Sequence, residues 1–122
     1  MKPLFAIVVL PLAFLSAGPA LAQNMCVVAG NQPIVGANMN ADFDVQAGQE
    51  CRYDIRPRGT LTSSEISQPA QHGTVKMIDK DTLTYEPAAG YRGSDSFAIT
   101  AMGQSTDEKP GTSVLSFKVN VR

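Results

Sequence analysis

Six short runs between Asp42 and Val121 alternate apolar and polar residues one by one, and this feature restricts the chain most. In residues 42–46, Phe43 and Val45 fall on one side and Asp42, Asp44 and Gln46 on the other. Cys51, Tyr53 and Ile55 oppose Arg52, Asp54 and Arg56, and Val75 and Met77 oppose Thr74 and Lys76. Leu83 and Tyr85 oppose Thr82, Thr84 and Glu86, while Phe97, Ile99 and Ala101 oppose Ser96, Ala98 and Thr100. Leu115, Phe117, Val119 and Val121 oppose Ser116, Lys118 and Asn120. A period of two is the mark of a strand with one wet face.

Glycine and proline punctuate the runs, at Gly48, Pro57, Gly59, Pro69, Gly73, Pro87, Gly90, Gly93, Pro110 and Gly111. Proline lacks a ladder donor and glycine accepts positive φ, so both mark strand ends. No stretch of similar length shows helical spacing with a cap. Short strands at this pace predict an all-β, antiparallel β-sandwich whose two sheets bury each other's apolar faces. Residues 103–112 read as a long polar hairpin loop. Residues 31–41, with Pro33, Gly36 and three asparagines, read as an edge segment or a leader into the domain.

The first 22 residues are a different kind of sequence. Lys2 begins them, an apolar stretch follows from Leu4 to Leu15, and Ala20-Leu21-Ala22 has the small-x-small form of a cleavage site. They read as a secretory signal peptide, too short for a membrane span of about 20 apolar residues. Cleavage after Ala22 leaves residues 23–122, one domain in size, with residues 23–41 as an N-terminal segment tethered by a disulfide and 42–122 as the sandwich. No second apolar run follows, so no membrane insertion is expected after cleavage. The expected location is exported, periplasmic or extracellular.

The remaining charges are nine basic and eleven acidic, a net of about −2 with histidine neutral. They are scattered, so nucleic-acid binding has no electrostatic footprint. The two cysteines, Cys26 and Cys51, are expected to pair in an oxidising compartment. Closing that loop is expected to stabilise the fold by about 3–4 kcal/mol. With a single histidine in the chain, a zinc site built on the two thiols is the poorer reading.

Residues 85–97, YEPAAGYRGSDSF, read as a structural corner. Tyr85 closes a strand, Pro87 stops it, Gly90, Tyr91 and Gly93 turn the chain, Asp95 bonds nearby groups, and Phe97 opens the next inward series. A buried tyrosine hydroxyl needs a partner, which loop backbone is expected to supply. Together with GTV at 73–75 and the approach EISQPAQHG at 65–73, this stretch resembles the bacterial cadherin-like or immunoglobulin-like repeat family. The resemblance runs over 65–102. It implies an immunoglobulin-like (cadherin-like) sandwich, and a role as used in surface adhesins, where many copies form a stalk, sometimes stiffened by calcium. Only one copy is present. Met102-Gly103 stands where the family often has an acidic D-G step, and the paired cysteines are an addition.

Residues that could carry chemistry are few. His72 precedes a strand with no nucleophile motif around it and reads as a solvated turn residue. Asp42 with Asp44, and Asp79 with Asp81, could lend oxygens to calcium, which wants six to eight ligands, but the intervening Lys80 and the absence of a third clustered acid argue against the Asp79–Asp81 pair, and both read as solvated strand and turn charges. Glu86 and Asp95 would need an aromatic-walled cleft to serve as a glycosidase pair, and the chain has no tryptophan. Met102 and the loop after it could border a partner surface. The sequence therefore predicts no catalytic residue, no cofactor and no metal. It predicts a non-catalytic binding or structural module that meets a protein or cell-surface partner through loops or a sheet edge. A calcium-dependent adhesion module and a small secreted enzyme or enzyme inhibitor are the rival readings.

Overall fold

The computed structural model describes residues 24–122, and the signal peptide read over residues 1–22 lies outside them. Nine strands make up the described residues: β1 (Asn24–Met25), β2 (Val27–Gly30), β3 (Met39–Val45), β4 (Cys51–Asp54), β5 (Thr60–Gln68), β6 (Gly73–Asp79), β7 (Thr82–Pro87), β8 (Gly93–Gln104) and β9 (Pro110–Val121). They build a four-stranded sheet, β1-β4-β7-β6, and a five-stranded sheet, β2-β3-β9-β8-β5. This is the all-β sandwich that the alternation predicts. Most pairs are antiparallel, while β1 with β4 and β3 with β9 run parallel.

The period of two decides which residues the sheets share. Along β3, Met39, Ala41, Phe43 and Val45 are buried while Asn40, Asp42 and Asp44 face water. Leu115, Phe117, Val119 and Val121 do the same for β9. Phe117 stands at the centre, with ring centroids 4.8 Å from both Phe43 and Phe97, and Tyr85 stacks on Phe97 at 5.9 Å. Burying each such side chain stabilises the fold by roughly 1.5–3 kcal/mol.

Two local findings refine the sequence reading. Thr82 and Thr84 are buried although they lie on the outward side of β7. β7 is a central strand, and Thr84 sits between Arg52 and Lys76 while Thr82 sits between Asp54 and Asp79. Longer neighbours on both sides cover these short side chains. Half of the expected 103–112 loop is strand: β8 runs to Gln104 and β9 starts at Pro110. Only residues 105–109 turn, closed by the Ser105 N–H on the Lys109 carbonyl (2.8 Å) and the Glu108 N–H on the Ser105 carbonyl (2.9 Å).

The N-terminal residues are woven into both sheets. β1 joins the four-stranded sheet and β2 the five-stranded one, so the chain changes sheets at Cys26. Cys26 is bonded to Cys51 at that point, as the sequence predicts, and its N–H donates to the Arg52 carbonyl at 2.8 Å. The segment leading to β3 is held by polar ties. Ser113 Oγ accepts from the Gly36 N–H (2.8 Å) and donates to the Ile34 carbonyl (2.9 Å), and Asn38 Oδ1 accepts from the Val114 N–H (2.9 Å).

Candidate functional site

The connection from β7 to β8 carries the chain from the four-stranded sheet to the five-stranded one. Pro87 is buried at the end of β7, and the Ala88 N–H donates to the His72 carbonyl at 2.8 Å. A turn follows, closed by the Tyr91 N–H on the Ala88 carbonyl (3.0 Å), with Gly90 at φ 77°. Tyr91 then donates its hydroxyl to the Ser94 carbonyl.

Asp95 is the organising residue. Its buried carboxylate accepts the Tyr85 hydroxyl at 2.7 Å, the Gln71 N–H at 3.0 Å, the His72 N–H at 3.1 Å and its neighbour Ser96 N–H at 2.8 Å. Gln71 and His72 belong to the link from β5 to β6, which also passes between the sheets. One carboxylate thus stitches together both crossovers at this end of the sandwich. Burial pushes the Tyr85 hydroxyl well above the ordinary tyrosine value, and the bond to Asp95 adds to that.

The sequence reading assigned a buried tyrosine to loop backbone. The structure gives buried Tyr85 a carboxylate instead, because its hydroxyl lies between the sheets beside β8. The half-buried Tyr91 takes the backbone partner. Gly73, the first residue of GTV, explains how Tyr85 fits. A Cβ there would lie 2.6 Å from the Glu86 carbonyl oxygen and 2.8 Å from the Tyr85 hydroxyl, so only glycine leaves room.

His72 is exposed, and its ring stacks on Tyr91 with centroids 4.2 Å apart and planes within 4°. The pair stands beside a groove of about 610 Å³ on the outer face of the five-stranded sheet. Asn40 and Asp42 of β3, Ser116 and Lys118 of β9, and Ser94 and Ser96 of β8 line it, with Gln71 and His72 at its edge. Asn40 is level with Ser116, and Lys118 is level with both Asp42 and Ser96. Short serines between longer side chains make the depression. Its hydroxyls, amides and two opposite charges can hydrogen-bond a polar surface.

The other candidate residues are scattered. Glu86 is exposed on β7 while Asp95 is buried, so the two carboxylates share no cleft. Asp44 pairs with Arg122 at 3.5 Å, apart from Asp42. Asp79 accepts the Asp81 N–H at 3.1 Å in the β6–β7 turn, and the bonds from Asp81 hold its carboxyl below the usual range. Among the described residues, no three His, Cys, Asp or Glu side chains are grouped to hold a metal ion. Met102 is exposed on β8. Sequence reasoning missed the groove altogether. Asp42, Ser96, Ser116 and Lys118 were readable as outward by their alternation, whereas Asn40, Ser94, Gln71 and His72 lay outside the alternating runs, and the side-by-side placement in the sheet depends on strand register.

Among solved structures, the chain is similar to the sialyltransferase from Photobacterium damsela, with a TM-score of 0.42 and 14% identity. The alignment covers 70% of this chain and 18% of that one, so this chain spans under a fifth of that protein's length. No curated protein matches. A family model described as bacterial Ig domain matches residues 22–120, which takes in every strand from β1 to β8 and nearly all of β9. The chain belongs to the bacterial Ig domain family.

Proposed function

We propose that this chain is an exported, non-catalytic binding module of the bacterial envelope or extracellular space, and that a protein or cell-surface partner docks in the groove beside the β7–β8 corner. The observation that carries this reading is the use of Asp95. Its carboxylate is the one buried acid among the described residues, and its bonds go to Tyr85 and three backbone amides. A carboxylate engaged in this way holds shape. It braces the Gln71-His72 wall of the groove, so the surface is set before any partner arrives. Such preorganisation lowers the cost of binding.

Location and chemistry support the same reading. A bacterial Ig domain with a disulfide fits an oxidising compartment. The groove offers serine hydroxyls and one charge of each sign, which complements a polar surface of low net charge. Fold membership names a scaffold, so the site carries the functional argument.

The test is capture from envelope extract by the oxidised protein, run beside Ser96→Arg and Ser116→Arg. Both substitutions place a long side chain in the groove from an outward position. The expected result is a partner retained by the parent protein and lost by both variants. Equal capture by all three, or capture by none, overturns the assignment.

A further inference from the structure

The four sheet edges of the sandwich differ in how they are guarded. An open edge presents unpaired backbone groups and invites a further strand, so edges usually carry charges, bulges or proline. β5 carries Glu65 and two register shifts, and Pro69 follows it. β6 carries Lys76 and a register shift near its end. β1 is only two residues long. β2 is short but lacks charge, bulge and proline: Val27-Val28-Ala29-Gly30 is uncharged, pairs with β3 without a shift, and is exposed throughout.

The exposed large apolar side chains concentrate at the same place. Of six among the described residues, three are Met25, Val27 and Val28, with Val27 67% exposed. Clustered apolar surface marks an interaction site more than isolated residues do. The edge is also anchored, because Cys26 directly precedes β2 and is bonded to Cys51 in the opposite sheet.

We propose that β2 is a self-pairing edge: two copies of the chain add β2 to β2, antiparallel about a two-fold axis, and join their five-stranded sheets into one. The occupant follows from charge and symmetry. A two-fold axis sets the strand against itself, its central residue opposite its own copy and the others opposite near neighbours of the same strand, so an edge carrying one sign of charge would repel itself. β2 has no charge to repel a copy, and none with which to select a charged partner strand. Its shortness sets the strength. Four residues on each side give far less than a standard interface of about 1,600 Å², so the dimer is weak, with a dissociation constant of roughly 10 µM to 1 mM. This inference goes beyond the groove and does not depend on it.

The experiment is sedimentation equilibrium of the oxidised protein from about 10 µM to about 1 mM, a range that brackets a weak pair. Two variants are run beside it. Val28→Lys puts a charge on the inward side of the edge, the device natural edges use. Ala29→Lys puts one outward, level with Asp42 of its own chain, and so leaves the monomer unharmed. The expected result is concentration-dependent dimer in the parent protein, weakened roughly tenfold or more by either lysine, with the parent's β2 amides gaining exchange protection as concentration rises. A monomer throughout the range overturns the proposal. So does a dimer that survives Ala29→Lys. Ser96→Arg leaves self-association unchanged, which separates this result from that of the groove.

Discussion

The Tyr85 hydroxyl donates a 2.7 Å hydrogen bond to Oδ2 of Asp95, ten residues further on and in the other sheet. That bond joins β7 to β8 across the corner they share. Because the same carboxylate also takes the amides of Gln71 and His72, the corner and the β5–β6 link are one unit.

Removing either partner has unequal consequences. Tyr85→Phe deletes one donor and leaves Asp95 with three amides, so a loss of about 1–3 kcal/mol is expected. Asp95→Ala strands the buried Tyr85 hydroxyl and releases three amides, and a loss of roughly 3 kcal/mol or more is expected. Urea unfolding of the two variants, compared by midpoint at equal slope, checks the order. An Asp95→Ala protein as stable as the parent would remove Asp95 from its central place.

Stability is expected to fall at alkaline pH. The folded state holds the Tyr85 proton above the ordinary value of 10.0, chiefly by burial, and Tyr53 is raised for the same reason. Between the unfolded value and the higher folded value, the native state keeps a proton that the unfolded state has lost. The contribution is therefore complete below about pH 10 and declines as pH rises. Melting temperatures from pH 8 to pH 11 should show the decline in the parent and a shallower one in Tyr85→Phe.

Gly73→Ala is expected to destabilise by about 1–3 kcal/mol through overpacking. The added methyl meets the Glu86 carbonyl and the Tyr85 hydroxyl, and the hydroxyl cannot move without disturbing its bond to Asp95. Thermal unfolding measures the loss. Tyr85→Phe in the Gly73→Ala background tests the cause, since removing the hydroxyl should lessen the added cost.

Replacing Cys26 and Cys51 together by serine is expected to cost roughly 2–4 kcal/mol. The two-residue β1 and four-residue β2 have little pairing of their own, so their amides should lose exchange protection first. Hydrogen exchange resolved by residue checks this. Unchanged protection at Val27 and Val28 would show that strand pairing alone holds the segment.

The reach of the sequence can be traced through particular residues. Phe43, Phe97, Phe117 and Val119 declared themselves as core because burial in a strand follows the side-chain period, which is local. Thr82 and Thr84 did not, since their cover comes from Arg52, Asp54, Lys76 and Asp79 on neighbouring strands. Asp95 was readable as a hydrogen-bonding residue of the corner. Its partners Gln71 and His72, however, precede it by 24 and 23 residues, and nothing local pairs them.

By itself, then, the order of residues determined six of the nine strands among the described residues, a wet and a dry side along most of their length, the corner between Tyr85 and Phe97, and the cysteines that bond, but not β1, β2 or β5. Each of these rests on spacing of a few residues or on the chemistry of a side chain. Only the folded sandwich decided that Asn40, Ser116, Lys118 and Ser96 lie side by side, and that Asp95 serves two crossovers. Lateral neighbours in a sheet are set by register between distant segments, and register is settled by the packing of the two apolar faces against each other.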